Sequence, residues 1–206
     1  MRVTVMDYGA GNLASVLKAL RHLGAAPDVS AGDLALIENA QRIVLPGVGH
    51  FAATRRLDEL GMTGAVRSAI SRGVPFLGIC VGMQWLYSGS SEAPDQGGLA
   101  VFPECCTRFP DGGEKVPHVG WNSIAPRNDS RLLRGIESGE HVYFTHSFKA
   151  PITAVTAASA FYIETFAAAV ESGNIAGVQF HPEKSGPAGL TILRNFLEWQ
   201  PAETSC

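Results

Sequence analysis

Apolar residues along the first two thirds of the chain alternate between strand-like runs and helix-like spacing. Residues 2–6 form a short, mostly apolar run that reads as a strand. After Gly9-Ala10-Gly11, Leu13, Val16, Leu17, Leu20 and Leu23 fall on one helical face. Residues 42–45 make the next strand, ending at Pro46-Gly47. Two helical stretches follow, 51–60 and 63–72, separated by Gly61 and closed by Gly73. Residues 74–79 are almost all apolar, as a central parallel strand covered on both faces should be. Residues 81–87 can then form a helix.

The last third is richer in strand. Residues 141–148, 154–158, 166–170 and 175–180 are candidates, and Ser172-Gly173-Asn174 has hairpin-turn chemistry. A final helix is expected over 187–199, with Leu190, Ile192, Leu193 and Leu197 toward the core. Alternating strand and helix predicts an α/β fold with a mostly parallel sheet, and the later hairpins predict antiparallel additions at one edge. No repeat, low-complexity segment or linker interrupts the pattern. Residues 1–206 therefore read as one domain, with about the last six residues a loose tail.

Composition narrows the function classes. At 206 residues, 46% apolar and 17% charged, the chain can bury an ordinary core. The net charge is −3 and no four Lys or Arg residues cluster, which gives no reason to expect a nucleic-acid or membrane-surface partner. The N-terminal apolar run is too short for a signal segment and no later run is of span length, so a cytoplasmic location is expected. The four cysteines form neither a disulfide framework nor a paired C-x-x-C metal pattern. Cys105 and Cys106 are adjacent and read as structural, and Cys206 ends the chain. Cys80 is different.

Gly78-Ile79-Cys80-Val81-Gly82 follows the buried strand directly. This is the pattern of a nucleophile elbow with Cys in place of Ser. A sharp strand-to-helix turn strains the central residue, and flanking glycines let backbone segments approach. The thiol would sit at a helix N-terminus, and the N–H of Val81 would point toward a developing oxyanion. Alone, the match fits a buried strand-end cysteine equally well. Near the C-terminus, Pro182 biases His181 toward extended backbone, where Glu183, two residues on, points the same way. Glu183 can then set the His181 tautomer, leaving the other ring nitrogen to take a proton from Cys80. Alone, that pair reads as surface residues after a strand. Both Cys80 and His181 nevertheless fall at strand C-terminal ends, where open α/β sheets gather function. Val44-Leu45-Pro46-Gly47-Val48-Gly49-His50 ends at the same edge, and Val48 or Gly49 could supply a second oxyanion donor.

Three motifs stand in this order: Pro46-Gly47-Val48-Gly49, Gly78-Ile79-Cys80-Val81-Gly82-Met83-Gln84, and Phe180-His181-Pro182-Glu183. The set resembles the triad-type glutamine amidotransferases. Further segments narrow the likeness: residues 7–12, 117–122 and 143–148, and the extension Lys184-Ser185. Together they resemble the glutaminase subunits of imidazole glycerol phosphate synthase over nearly the whole chain.

The resemblance implies a flavodoxin-like sheet with helices on both faces, L-glutamine as substrate, and no metal or organic cofactor. It implies a heterodimer with a (β/α)-barrel cyclase subunit that receives ammonia. Carried over by position, Cys80 is the nucleophile, His181 the base and Glu183 its orienter. Val48 and Val81 take the oxyanion positions. Gly49, His50, Gln84, Thr145, His146 and Ser147 match glutamine-contacting positions, and Asn12, Trp121 and Lys184 match the partner-facing side. His118 reads as structural or interfacial. Thr145 stands where an apolar residue is common, Phe148 where Tyr is frequent, and residues 156–164 match no family pattern. A glutaminase feeding anthranilate or pyridoxal phosphate synthesis is disfavoured by Asn12 and by residues 117–122. A cysteine hydrolase or protease on the same scaffold should lack Gln84 and the His-Pro-Glu run. Intact Cys80, His181 and Glu183 speak against an interaction module with a decayed site.

Overall fold

A computed structural model describes residues 1–200; the expected loose tail and Cys206 lie outside the described residues. The chain runs β1 (Arg2–Met6), α1 (Leu13–His22), β2 (Ala26–Ser30), α2 (Leu34–Glu38) and β3 (Ile43–Gly47). A 3-10 turn at Phe51–Thr54 leads into α3 (Arg55–Glu59) and α4 (Met62–Ser71), then β4 (Phe76–Cys80) and α5 (Val81–Gln84). Short strands β5 (Gly89–Ser90) and β6 (Cys105–Arg108) precede β7 (His118–Ser123), β8 (Ala125–Pro126), β9 (His141–His146) and β10 (Phe148–Lys149). The chain then makes β11 (Thr156–Tyr162), β12 (Glu164–Ser172), β13 (Ile175–Val178), a 3-10 turn at Pro182–Lys184 and α6 (Gly186–Leu197).

Eight strands form the main sheet in the order β2-β1-β3-β4-β13-β12-β11-β8. The first five pair in parallel, and β12, β11 and β8 add antiparallel, as the pattern predicts. Every residue of β3, β4 and β13 is buried, so both faces of the sheet centre are covered. α2 and α3 each pack against α4, while α1 and α6 pack against the turn at 182–184. Among the described residues, no helix is long and apolar enough to cross a membrane.

The structure departs from the sequence pattern in instructive places. Strand β2 was not expected, because Pro27 and Asp28 interrupt its apolar pattern. It pairs only with β1, and an edge strand tolerates proline. The helix after Cys80 stops at Gln84 rather than Tyr87. Leu86 and Tyr87 donate three residues back, to Met83 O and Gln84 O, rather than four, and the carbonyls of Trp85 and Tyr87 accept from Leu99 and Ala100. The expected strand 141–148 is divided between β9 and β10, which join different small sheets. Residues 156–164 form β11 and its turn into β12, with Ile163 at a φ of +62°.

Candidate active site

Register brings three strand ends together. Gly47 of β3 lies opposite Cys80 of β4, and β13 runs in register with β4 through Val178 opposite Ile79. Cys80 is the last residue of β4, with φ +55° and ψ −110°, a conformation rare for a residue with a side chain. The glycines around it are required by space. A Cβ on Gly78 would strike the Gly82 carbonyl, and one on Gly82 would strike that of Leu45. One on Gly47 would meet the Gly82 nitrogen at 2.7 Å. The elbow is thus made by backbone crowding, which only glycine permits.

His181 is pinned by its backbone. Its N–H donates to Tyr143 O at 2.8 Å, and the Ser185 hydroxyl donates to its carbonyl at 2.6 Å. The ring is almost wholly buried, and its Nδ1 lies 3.0 Å from Glu183 Oε1. The contact is made differently from the sequence expectation. Residues 182–184 are a 3-10 turn started by Pro182, not extended chain, and that turn folds Glu183 back onto the ring. Nε2 has no hydrogen-bond partner, and Cys80 is close enough to act on the ring. Burial pulls the His181 imidazole down, but the hydrogen bonds and charges of Cys80 and Glu183 outweigh it and push it up to about 9. Asn12 Nδ2 also reaches Glu183 Oε1, at 3.4 Å.

Beside Cys80 is a cavity of about 180 Å³. Gly49, Cys80, Val81, Gln84 and Glu92 line one side, and Thr145 to Phe148 the other. His50, matched to a glutamine-contacting position, does not line the cavity. It is exposed, and its Nδ1 accepts from Ala52 N to cap the 3-10 turn at 51–54. Glu92 was not singled out in the sequence, since it lies in an irregular loop. Its Oε2 accepts from Phe51 N at 2.7 Å, which fixes a carboxylate at the cavity wall.

Thr145 and Ser147 line the cavity, and His146 does so from a buried polar chain. His146 Nδ1 lies 2.9 Å from Phe148 O, and its Nε2 lies 3.1 Å from His118 Nδ1. Because a carbonyl only accepts, Nδ1 of His146 carries the proton and its Nε2 accepts from His118. His118 is stacked between Phe144 and Tyr162, with ring centroids 4.8 and 4.0 Å away, in keeping with its structural reading. Burial lowers His118 to about 4 and His146 to about 3, so both are neutral near pH 7.

Of the three residues assigned to the partner side, Trp121 is 55% exposed and Lys184 is exposed. Tyr143 joins them: its ring is 6.1 Å from Trp121 and 5.6 Å from the Lys184 ammonium. Asn12 instead touches Glu183, as described above. Among the described residues, no three His, Cys, Asp or Glu side chains could hold a metal ion.

A strained strand-end thiol, a histidine held by a carboxylate and a small polar cavity suit acyl transfer from a small substrate. The family model for class-I glutamine amidotransferases matches residues 4–199. The chain belongs to that family. Imidazole glycerol phosphate synthase subunit HisH of Methanosarcina acetivorans is 45% identical, across 96% of this chain and 98% of its own length. HisH of Methanothermobacter thermautotrophicus is 46% identical across 95% and 98%. Imidazole glycerol phosphate synthase hisHF of Arabidopsis thaliana is 44% identical across 95% of this chain but only 34% of its own length. Within the amidotransferases the chain therefore groups with the HisH enzymes. In solved structures the fold recurs in a glutamine amidotransferase at a TM-score of 0.74, with 20% identity across 95% and 97% of the two chains.

Proposed function

We propose that residues 1–206 act as one amidotransferase domain, the cytoplasmic glutaminase subunit of an imidazole glycerol phosphate synthase. The observation that carries this reading is His181 held by Glu183 beside Cys80, in a chain close to HisH throughout. The Cys80 sulfur attacks the carboxamide carbon of L-glutamine, and the carbonyl oxygen becomes an oxyanion. Val81 N–H, one of the unpaired first donors of α5, and Val48 N–H, just past Gly47, serve as its donors. His181, holding the thiol proton, passes it to the leaving nitrogen as the C–N bond breaks. Ammonia departs and a thioester remains. Water then attacks the thioester, His181 takes its proton, and the C–S bond breaks to give glutamate and free Cys80. Glu183 holds the ring in the tautomer both steps need. Glu92 suits the substrate's ammonium group, and Gly49, Thr145 and Ser147 contact its body.

The ammonia passes to a (β/α)-barrel cyclase subunit in a heterodimer. The cyclase yields imidazole glycerol phosphate and an aminoimidazole carboxamide nucleotide. Support comes from the row of exposed Trp121, half-buried Tyr143 and exposed Lys184, and from the Arabidopsis relative, most of whose length lies outside the matched region. An electrophilic glutamine analogue should label Cys80 in the chain mixed with candidate cyclases, with glutamate release rising on assembly. Labelling chiefly at Cys105 or Cys106 sinks the nucleophile. Full activity of the isolated chain, unchanged by any cyclase, would favour a stand-alone amidase.

A further inference from the structure

Gln179 is wholly buried, two residues before His181 and one step beyond the β4–β13 pairing that ends at Ile79. Its Oε1 accepts from Gln84 Nε2 at 3.1 Å, and its Nε2 lies 3.6 Å from Cys80 Sγ. Gln84 Nε2 also donates to Phe148 O at 2.9 Å. One backbone carbonyl decides how both amides are turned. Phe148 O cannot donate, so Gln84 must turn its NH₂ toward it. The second Gln84 hydrogen then meets Gln179, which must answer with its oxygen. The Gln179 NH₂ is left facing the sulfur. Both Gln84 hydrogens are committed inward, and only its Oε1 remains to accept from a ligand in the cavity.

We infer that Gln179 is a positioning residue for the amidotransferase reaction: it donates to the Cys80 sulfur and locks Gln84 with its acceptor free for the substrate carboxamide. This rests on the function proposed above. A hydrogen bond to sulfur strengthens as the sulfur becomes anionic, so Gln179 favours the thiolate that attacks and, later, the thiolate that leaves. A substrate carboxamide needs an acceptor for its N–H groups. Loss of Gln179 would leave Gln84 held by Phe148 O alone, with one N–H unpartnered and its acceptor less firmly placed.

The test compares unmutated protein, Gln179→Met and Gln179→Glu, each assembled with the cyclase, by glutamate release across pH. A second measurement is the pH dependence of Cys80 alkylation by iodoacetamide. Met keeps the volume and loses both hydrogen bonds. Its kcat should fall about tenfold, as for loss of a bond to an ionised group, with a raised KM for glutamine and an alkylation midpoint moved to higher pH. Glu keeps the shape and, while protonated, can donate to sulfur and accept from Gln84. It should approach unmutated kcat at low pH and fall away as its carboxyl ionises. Unmutated kcat, KM and alkylation profile in both variants would overturn the inference. The same constant loss at every pH in both would also overturn it, since Gln179 would then only fill space. If Gln179→Met does not fold by thermal unfolding, the pH profile of Gln179→Glu decides. If unmutated protein releases glutamate and labels at Cys80, the function stands whatever Gln179 does. If it does neither, function and inference fall together.

Discussion

Two buried histidines lie near Cys80, one of them lining its cavity, and their surroundings make them opposites. His181, at the end of β13, faces a carboxylate and a thiol and is pushed up to about 9. His146, at the end of β9, faces another imidazole and a backbone carbonyl and is pushed down to about 3. Burial opposes the charged form of both. What separates them is partner chemistry: groups that can carry negative charge rescue the imidazolium, whereas neutral groups do not. One region is built to move a proton, the other to hold a fixed hydrogen-bond polarity.

The sharpest way to break that contrast is to delete the moving proton. Cys80→Ala and His181→Ala should each lower glutamate release by roughly 10⁴-fold or more, as expected when a nucleophile or its base is removed. Removing His146 should not approach this loss. Comparable losses at His181 and His146, with both variants folded, would place the chemistry on the wrong histidine.

Glu183→Gln comes next. It keeps the shape but favours the wrong imidazole tautomer, and it removes a charge that holds His181 up. We expect kcat to fall on the order of 10²–10⁴ with little change in glutamine binding. A normal kcat with a raised KM would mean that Glu183 binds glutamine instead.

The two regions were not equally legible in the sequence. The elbow was, because Gly78 and Gly82 flank Cys80 in the chain and crowd each other there, while Gly47 and Leu45 close on it from the neighbouring strand. The His181–Glu183 pair was also readable, although the turn at 182–184 makes the contact where extended chain was expected. The alternation of strand and helix gave the parallel sheet and its antiparallel edge, but Pro27 hid β2. The polar chain was not legible. Gln179 matters because it meets Gln84 from 95 residues away, and His146 because register places His118 opposite it. His50 matches a glutamine-contacting position in the family, and the local hydrogen bond that makes it a cap could not be read from that match.

The contrast also predicts opposite stability dependence on pH. His118 and His146 are held below their unfolded value near 6.5, so as pH falls the unfolded chain gains protons that the folded chain refuses. Stability should fall from pH 6.5 to 4.5 by roughly 2–3 kcal/mol for each of the two. His181 is held above 6.5, so its contribution is complete below that pH and is lost as pH rises through about 9. Denaturant melts across pH should show that His118→Phe flattens the acid limb by about half, while Glu183→Gln alters the alkaline limb. An unchanged acid slope in His118→Phe would mean that His118 protonates freely when folded.

The smallest effect expected is at the seam between the two regions. Tyr143 joins them: its carbonyl accepts from His181 N–H, and its own N–H is bonded by Ser185 Oγ at 3.0 Å. Its half-buried ring lies 6.1 Å from that of Trp121 and 5.6 Å from the Lys184 ammonium. A cyclase docked on that row would press on the backbone that holds His181 and on the residue after Glu183. Backbone oxyanion donors nearby can be biased the same way, and one such donor is worth roughly 2.7–4 kcal/mol in the transition state. Lys184→Ala leaves every triad atom in place. It should cut activation by the cyclase about fivefold, at the weak end of coupling between sites, and lower basal glutamate release less. Glutamate release with and without saturating cyclase measures both. Equal losses in the two conditions would make Lys184 part of the active-site support, and the two regions would then be coupled through the catalytic core rather than through the partner-facing row.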